Sequence, residues 1–406
     1  MTKRFGLYII ILYMVSFLTG CHDTLVLPID PIPVPRTEAE RTVIIYMAAD
    51  NSLSSAARKD TIEMALGKNK IPDDVNFIIY IDDTTGKPAI YELSRGKGIK
   101  LWKQYEEELC STKPEVMLEA LSEIVRYFPA RHYGITLWSH ATGWAPEQSS
   151  TSSTRRKTFG QDDEVNSTDS PRKIIEMEIP VLRDVLAQLP KFDYIFFDAC
   201  FMQCIEVAYE LRNVTNWMIG SPAEIPGPGA PYDKVIEALC KGDVKGIVQG
   251  YDSGYPLNVY SGVLLSCIDC TQLEALAEAT GGLLTHFYME RDEPLTTNFQ
   301  FYCDISFEKF TYCFDMRTTM FRLLSAEQYA VWMEAFDKAV PLRTLSVTNR
   351  WFARNCDRAI VTNPECYGGV SMFVPMAKYD TAGCNWNTDF RNTSWYTATG
   401  WQATGW

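Results

Sequence analysis

The sequence predicts an α/β fold in which a mostly parallel central sheet is covered by helices on both faces, with a smaller C-terminal subdomain. Short apolar runs rich in β-branched residues alternate along the first half of the chain with stretches of helical periodicity. The chain has 406 residues, of which 46% are hydrophobic and 22% are charged. This composition is sufficient for a substantial core and argues against a disordered chain.

Six runs in the first half of the chain are typical of strands. They are short and apolar, and most end in polar residues, as buried strands of a parallel sheet do. They cover residues 42–47, 75–81, 89–93, 133–138, 192–197 and 217–220. The run at 89–93 follows a turn at 85–88 and is expected to be an edge strand.

Helical stretches lie between these runs and continue in the second half. Asn51 and Ser52 are favourable caps for the first helix, which is expected to reach about Leu66. Other helices are predicted at 114–128, 179–189, 202–211, 272–288 and 326–340, and further strands at 259–265 and 370–374. The aromatic residues of segment 395–406 are expected to pack into the core, with a binding strip as the alternative.

The N-terminal residues predict an exported lipoprotein. Lys3 and Arg4 precede an apolar run at 5–18 that is short for a transmembrane helix, and small residues stand before Cys21. Residues 1–20 are therefore predicted to be a lipoprotein signal peptide, and Cys21 the lipidated residue. His22 favours an outer-membrane address, whose face stays open. An ordinary cleaved signal and a short anchor helix are the alternatives.

A proline-rich tether is expected at residues 21–40. Four prolines within 28–35 form a stiff, extended spacer. The main α/β domain is predicted at 41–290, and the C-terminal subdomain at 291–406.

The charge balance argues against nucleic acid as a partner. Lys and Arg total 38, Asp and Glu total 51, and the formal net charge is −13. A nucleic-acid-binding protein needs a basic footprint, which this balance does not provide. A serine hydrolase is not indicated, because the chain lacks the G-x-S-x-G elbow.

Two reactive side chains follow strands of the predicted sheet. In open α/β sheets the site lies beyond the carboxyl ends of the strands, and His140 and Cys200 both occupy such positions. A thiolate is favoured by a nearby imidazolium and by a helix N-terminus, which is expected directly after Cys200. His132 precedes its strand, His22 lies in the tether and His286 lies in a helical stretch. The alternative is a buried structural cysteine and a histidine satisfied within its loop.

The residues around this pair resemble those of a known family. The blocks are YMAADN at 46–51, LWSHATGW at 137–144, FDACFMQCIEVAYEL at 197–211 and PGPG at 226–229. In this order they resemble the clostripain family of cysteine peptidases, which belongs to the caspase-like clan. The resemblance covers about residues 41–239 and implies a caspase-like α/β/α sandwich, with the peptidase domain at 41–290.

The resemblance also implies roles for individual residues. Cys200 would be the nucleophile and His140 the general base and acid. The N–H of Cys200 and another from the loop after His140 would form the oxyanion hole. Asp198 matches an acid of the pocket that binds the Arg or Lys side chain preceding the scissile bond (the P1 residue). Ala141 and Ala199, beside the two catalytic residues, are also placed in the substrate-binding site.

Two departures from the family pattern bear on specificity. Ala141 stands where the family usually has Gly, and it would be strained if this position required a positive φ. The segment near Pro228 lacks an acid that some relatives carry, for which Asp233 or Glu224 could substitute. Asp198 itself could instead brace a loop or cap a helix. A preference other than Arg or Lys therefore stays open.

A polar segment between the two catalytic blocks is a candidate processing linker. Residues 146–172 are low in apolar content and contain Arg155, Arg156 and Lys157. Relatives in this family are processed there, and a peptidase specific for basic residues could cut its own chain; a flexible insertion is the alternative. Asp162, Asp163 and Glu164 leave Ca²⁺ open as a ligand, although such runs are usually solvated. No other cofactor is indicated.

Two functions remain open on the sequence alone. The first is a lipid-anchored cysteine endopeptidase that cleaves peptides and proteins after basic residues. The second is a non-catalytic surface lipoprotein that uses the same fold to bind peptides or partner proteins. Ala141 and the incomplete acidic pocket favour the second, whereas the presence of both His140 and Cys200 favours the first. The C-x-x-C pair at 267 and 270 has no second ligand pair for zinc, and no disulfide pairing can be deduced.

Overall fold

In the computed structural model, the chain is described over most of its length after the tether. The described residues are 34–144, 158–163, 174–254, 262–284, 299–302, 313–346, 348–353, 359–381 and 385–405. Residues Pro35–Trp406 form one compact unit. Within the described part, no helix combines the length and the apolar character needed to cross a bilayer.

In the described part of the chain, a large sheet lies at the centre, and two small two-stranded antiparallel sheets accompany it. The strands are β1 (Ala39–Ala49), β2 (Val75–Asp83), β3 (Gly86–Ser94), β4 (Gly98–Gln104), β5 (Ala130–Trp138), β6 (Thr158–Asp163), β7 (Ile174–Glu178), β8 (Phe192–Asp198), β9 (Thr215–Gly220), β10 (Ser266–Asp269), β11 (Phe314–Asp315), β12 (Leu342–Arg343) and β13 (Ser371–Met372). Nine strands of the described chain form the main sheet, in the order β12-β10-β9-β8-β5-β1-β2-β3-β4.

The five strands at the centre of this sheet are parallel. β9, β8, β5, β1 and β2 pair in parallel, whereas β3 and β4 on one flank and β10 and β12 on the other are antiparallel. The parallel strands are nearly continuous apolar runs because both faces of this part of the sheet are covered.

Helices cover both faces and create two hydrophobic layers. They are α1 (Ser54–Leu66), α2 (Pro114–Tyr127), α3 (Ile179–Leu186), α4 (Ile205–Leu211), α5 (Tyr232–Lys241), α6 (Val244–Gly254), α7 (Leu273–Leu284), α8 (Met316–Leu323), α9 (Ala326–Ala339), α10 (Ala377–Thr381), α11 (Trp386–Arg391) and α12 (Ser394–Thr399). Alternate residues of β1 point to opposite layers. Ile44 and Tyr46 pack in the layer of α2, α3 and α4, and Val43 and Ile45 in that of α1, α5 and α6. The predicted α/β/α fold class is confirmed.

The C-terminal residues pack into the first of these layers. Trp395 and Trp401 are buried there together with the core of α2 and α4. The predicted packing of the aromatic tail is thus confirmed for these two residues, whereas Trp406 lies outside the described residues. The domain boundary predicted at 290 and the signal peptide at 1–20 also lie outside them.

Several predicted elements differ from the structure. The strand predicted as an edge, β3, is covered by β4, a largely exposed strand without a buried apolar run. The helix expected from residue 202 begins at Ile205, because the chain first turns through Phe201 at φ +61°. Of the strand predicted at 259–265, residues 259–261 lie outside the described residues, residues 262–265 are not in a strand, and the strand β10 follows at Ser266.

Part of the predicted processing linker is an ordered strand. β6 lies within residues 146–172 and pairs with β7 in an antiparallel hairpin. Its Phe159 is fully buried against Phe197 of β8, with 6.0 Å between the ring centroids. Burying this aromatic ring fixes a segment whose remaining residues are mainly polar.

Candidate active site

The register of two parallel strands places His140 and Cys200 at the same edge of the sheet. β5 and β8 are neighbours, and Trp138 pairs with Asp198. His140 and Cys200 each lie two residues beyond this pair. Because neighbouring strands are about 4.8 Å apart, the structure brings the two predicted catalytic residues together at the carboxyl ends of adjacent strands.

A network of polar contacts fixes the loop that carries His140. The Ser139 hydroxyl donates to Ala48 O at 2.7 Å and accepts from Gln161 N at 3.1 Å. The N–H of Gly160 donates to His140 O at 2.9 Å. The loop is therefore held between β1 and β6, so the strand within the predicted linker supports the site.

The imidazole of His140 is half-buried and bonded to a serine from the loop after β1. Ser52 Oγ lies 2.9 Å from His140 Nε2. Burial lowers the pKa of His140 below its ordinary value, and the negative charge of Asp163 on β6 opposes this effect. The imidazole is consequently neutral at neutral pH, as a general base must be. Sequence reasoning treated Ser52 as a helix cap and missed this contact.

Cys200 lies in a sharp turn between β8 and α4. Phe201 adopts φ +61°, an uncommon conformation for a residue with a side chain, and its N–H donates to Ala223 O at 3.0 Å. The sulfur of Cys200 accepts from Ile225 N at 3.4 Å. The prediction that α4 would point its first amides at the sulfur is wrong, because the turn delays the helix to Ile205 and the amide that reaches the sulfur follows β9.

A cavity of about 330 Å³ opens beside these residues. Its wall comprises Leu53, Trp138, Ser139, His140, Asp198, Cys200, Glu224, Ile225, Pro226, Gly227, Gly229 and Phe352. The cavity thus joins a thiol, an imidazole and two carboxyl groups. Glu224 reaches the wall, whereas Asp233 lies in the first turn of α5, where it pairs with Lys234 at 2.9 Å.

Asp198 both borders this cavity and braces the loop after β9. It is buried, and its Oδ2 accepts from Ala230 N and from the Tyr232 hydroxyl, each at 2.9 Å. The Tyr251 hydroxyl donates to Oδ1 at 3.3 Å. Burial raises the pKa of Asp198 to about 6, although these hydrogen bonds oppose the rise. The bracing role and a role at the cavity wall therefore coexist.

A second buried carboxyl group, Asp60 of α1, lies next to Asp198. Trp138 Nε1 donates to Asp60 Oδ2 at 2.8 Å, and burial raises the pKa of Asp60 to about 9. A Cβ atom added to Gly229 would lie 2.8 Å from Asp198 Oδ2 and 3.1 Å from Asp60 Oδ2. Sequence reasoning missed Asp60, because nothing in its local pattern relates it to residues 138 and 198.

The two alanines assigned to the substrate-binding site are neighbours of residues that line the cavity but are not themselves among them. Ala199 is buried in the core, and Ala141 forms an antiparallel bridge with Phe159. Ala141 does not have a positive φ; among the described non-glycine residues only Phe201 and Asn349 do. The left-handed position in this loop is Gly143, at φ +72°. Ala141 is therefore not strained by a positive φ. Strain at this position no longer supports the alternative of a non-catalytic protein.

Two of the three acidic residues of the predicted linker, Asp162 and Asp163, lie in the described part of the chain. Asp162 is buried and accepts from Ser111 N at 2.6 Å, and no group of three or more His, Cys, Asp or Glu side chains among the described residues is placed to hold a metal. Glu164, Arg155, Arg156, Lys157 and Cys21 lie outside the described residues. Cys267 and Cys270 are free thiols.

Comparison with known proteins decides the family. The family model for clostripain matches residues 45–406. The chain belongs to the clostripain family. The predicted family and the predicted class, a cysteine-type peptidase, are therefore confirmed. Clostripain of Hathewaya histolytica is 23% identical over 228 residues, a match that spans 50% of this chain and only 42% of clostripain.

Solved structures of the same peptidase class share the fold. A secreted C11 cysteine protease from Bacteroides thetaiotaomicron, solved with an irreversible peptide inhibitor, is 29% identical with a TM-score of 0.74, over 90% of this chain and 100% of that one. An inactive zymogen C11 protease from Parabacteroides distasonis is 26% identical with a TM-score of 0.73, over 90% and 99% of the two chains.

Proposed function

We propose that this clostripain-family member is a cysteine endopeptidase that cleaves peptide bonds after Arg or Lys through a dyad of Cys200 and His140. The observation that carries this proposal is the register of β5 and β8, which sets the two side chains at equal heights beside one cavity. Membership of the family and the peptide inhibitor bound by the relative from Bacteroides thetaiotaomicron support peptide substrates.

The hydrogen bond between His140 and Ser52 indicates which ring nitrogen acts in the dyad. If Nε2–H donates to Ser52 Oγ, Nδ1 is the ring nitrogen that accepts the thiol proton. The Cys200 thiolate then attacks the carbonyl carbon, and the imidazolium returns its proton to the leaving amine. Water hydrolyses the resulting thioester with His140 again as base. The Ile225 N–H at the sulfur stabilises the thiolate before attack.

The proposed oxyanion hole uses main-chain amides. The N–H of Cys200 and one from the loop after His140 would receive the negative oxygen of the tetrahedral intermediate. The two segments touch, since a Cβ atom on Gly143 would lie 2.6 Å from Phe201 O. This close contact keeps the donors in one place during the reaction.

The preference for basic P1 side chains rests on the acidic wall of the cavity. Asp198 and Glu224 both line it, and no Lys or Arg is among its lining residues. A buried carboxylate is costly without a cationic partner, and a guanidinium or ammonium group entering the cavity would provide one.

Cleavage of fluorogenic peptides tests this function. The purified protein is expected to cleave peptides with Arg or Lys at P1 and to leave matched peptides with Asp or Leu at P1 intact. Cys200→Ala and His140→Ala should each abolish cleavage, while Cys110→Ala, which removes a half-buried thiol elsewhere, should not. Activity that survives in Cys200→Ala would refute the assignment.

Self-processing within residues 146–172 is part of the same proposal. The basic run 155–157 ends directly before β6, which anchors the chain on the far side of a cut. The relative from Parabacteroides distasonis was solved as an inactive zymogen, which supports a processed form here. Intact mass measurement should find two fragments from the wild type and one uncut chain from Cys200→Ala.

We also propose export as a lipoprotein anchored through Cys21 in the outer membrane. The basic residues Lys3 and Arg4, the apolar run and the small residues before Cys21 support this localisation. Mass spectrometry of the membrane fraction should find Cys21 as a lipidated N-terminus. A mature N-terminus elsewhere would contradict it.

A further inference from the structure

Asp60 is a buried carboxyl group that the proposed chemistry leaves without a role. It lies on α1 and is only 1% exposed. One oxygen, Oδ2, accepts from Trp138 Nε1 at 2.8 Å, while Oδ1 has no hydrogen-bond partner among the described residues. A single hydrogen bond is poor compensation for an ionised carboxylate in the interior. Such a group is expected to hold its proton until a cation arrives.

This carboxyl group lies directly behind Gly229, a residue of the wall of the active-site cavity. Gly229 lines the cavity at φ +67°. The position that its Cβ would take is 2.8 Å from Asp198 Oδ2, 3.1 Å from Asp60 Oδ2 and 3.1 Å from Trp138 Nε1. Because both carboxyl oxygens lie that close to one point, they are at most about 6 Å apart. A side chain at 229 would fill this space.

The charges around Asp60 favour a state in which Asp60 and Asp198 together carry a single negative charge. Burial, together with the negative charges of Asp198 and Glu63, raises the pKa of Asp60 to about 9, although the Trp138 hydrogen bond and the charge of Lys59 oppose the rise. Tyr232 of α5 also faces the pair. The pKa of Asp198 is raised only to about 6, because three hydrogen bonds stabilise its ionised form.

We propose that Asp60 is a specificity-determining residue that acts through Asp198: it is neutral in the empty pocket and releases its proton when a basic P1 side chain enters. This inference rests on the proposed preference for Arg or Lys. Binding converts a carboxylic acid and a carboxylate into two carboxylates facing one cation, and the proton goes to solvent. Asp198 supplies the resting attraction, and Asp60 strengthens it only when a cation is present.

The coupling between binding of a basic side chain and proton release from Asp60 determines the direction in which KM changes with pH. An event that releases a proton from Asp60 becomes more favourable as pH rises toward the pKa of the free group, about 9. KM for an arginine substrate should therefore fall between pH 7 and 9. kcat should not follow this change, because Asp60 does not touch the reacting atoms.

The variant Asp60→Asn separates the effect of the charge of Asp60 from its structural role. The amide oxygen of Asn can still accept from Trp138 Nε1, but the side chain cannot ionise. At pH 9 we expect KM for an arginine peptide to rise about tenfold with kcat within about twofold, which is about 1.4 kcal/mol of lost binding. The fall of KM between pH 7 and 9 should disappear. Asp73→Asn, which changes an exposed carboxylate, should behave as wild type.

Calorimetry on the full chain keeps the inference testable if Asp60→Asn does not fold. n-Butylguanidine is titrated into Cys200→Ala at pH 8 in buffers of different ionisation enthalpy. Release of a substantial fraction of one proton per ligand is expected, and binding without proton release would overturn the inference. A wild type that cleaves after Arg, with the same KM–pH profile as Asp60→Asn, would overturn the role of Asp60 and leave the proposed function intact. A wild type without basic preference would overturn both.

Discussion

Ser52 and His140 are 88 positions apart in the sequence, yet a hydrogen bond of 2.9 Å joins their side chains. In the proposed dyad, this bond would leave Nδ1 of the imidazole for the thiol of Cys200, so it would act on the orientation of the base rather than on substrate binding. Ser52 is exposed, and its loss removes little packing. A catalytic effect can therefore be separated from a folding effect at this position.

Ser52→Ala is expected to lower kcat about fivefold and to leave KM unchanged. The estimate follows from about 1 kcal/mol for one hydrogen bond. Ser55→Ala is the matched control, because Ser55 lies three residues further along the chain and is also exposed. This variant should retain full activity. Steady-state kinetics on one arginine peptide decides, and equal kcat values for the two variants would show that the serine does not orient the base.

At the scale of elements, the loop between β5 and β6 determines how the site is assembled. Gly143 has φ +72°, and an added Cβ would lie 2.6 Å from Phe201 O in the turn that carries Cys200. The loops that carry His140 and Cys200 therefore meet at a glycine. Any side chain there forces them apart and strains the backbone.

Gly143→Ala should lower the free energy of unfolding by at least about 1 kcal/mol, the cost of a left-handed conformation for alanine. It should also reduce kcat, because the donors of the proposed oxyanion hole shift. Gly86→Ala serves as the control, since its φ is not positive and an added Cβ there meets nothing within 4 Å. Urea denaturation and peptide kinetics measure both effects; a Gly143→Ala protein with wild-type values would contradict the close contact.

Elements with strong local signals could be predicted from the sequence, and contacts between distant elements could not. The apolar runs of β1, β2, β5 and β8 identify buried strands, and parallel topology then places His140 and Cys200 at one edge. β4 was missed because it is exposed and lacks such a run. Asp60 was missed because its contact with Trp138 spans 78 positions and depends on how α1 packs.

At the scale of the whole molecule, buried acids cluster where the carboxyl ends of β1 and β2 meet β6. Asp82 is fully buried and accepts from the Ser111 hydroxyl, while Ser111 N donates to Asp162 of β6 at 2.6 Å. Burial raises the pKa of Asp82 to about 9 and that of Asp162 to about 6. Folding thus takes up protons at these sites, and the hairpin is attached to the body through them.

The raised pKa of Asp82 determines how the free energy of unfolding changes with pH. Between pH 3.8 and about 9 the folded state holds a proton that the unfolded state has lost, so the free energy of unfolding decreases as pH rises. Asp82→Asn should flatten this decrease between pH 6 and 9. Denaturation at three pH values measures it, with Asp73→Asn, an exposed change, as control. A pH slope equal to that of the wild type would show that Asp82 ionises freely in the folded protein.

The central claim is that His140 activates the sulfur of Cys200, and alkylation by iodoacetamide tests it most directly. Burial raises the pKa of Cys240 and Cys270 to about 12, so these thiols should react slowly and serve as internal references. At pH 6.5, mass mapping should find Cys200 alkylated at least tenfold faster in the wild type than in His140→Ala, while the alkylation of the two references stays the same in both proteins. Equal alkylation of Cys200 in wild type and His140→Ala would contradict the dyad.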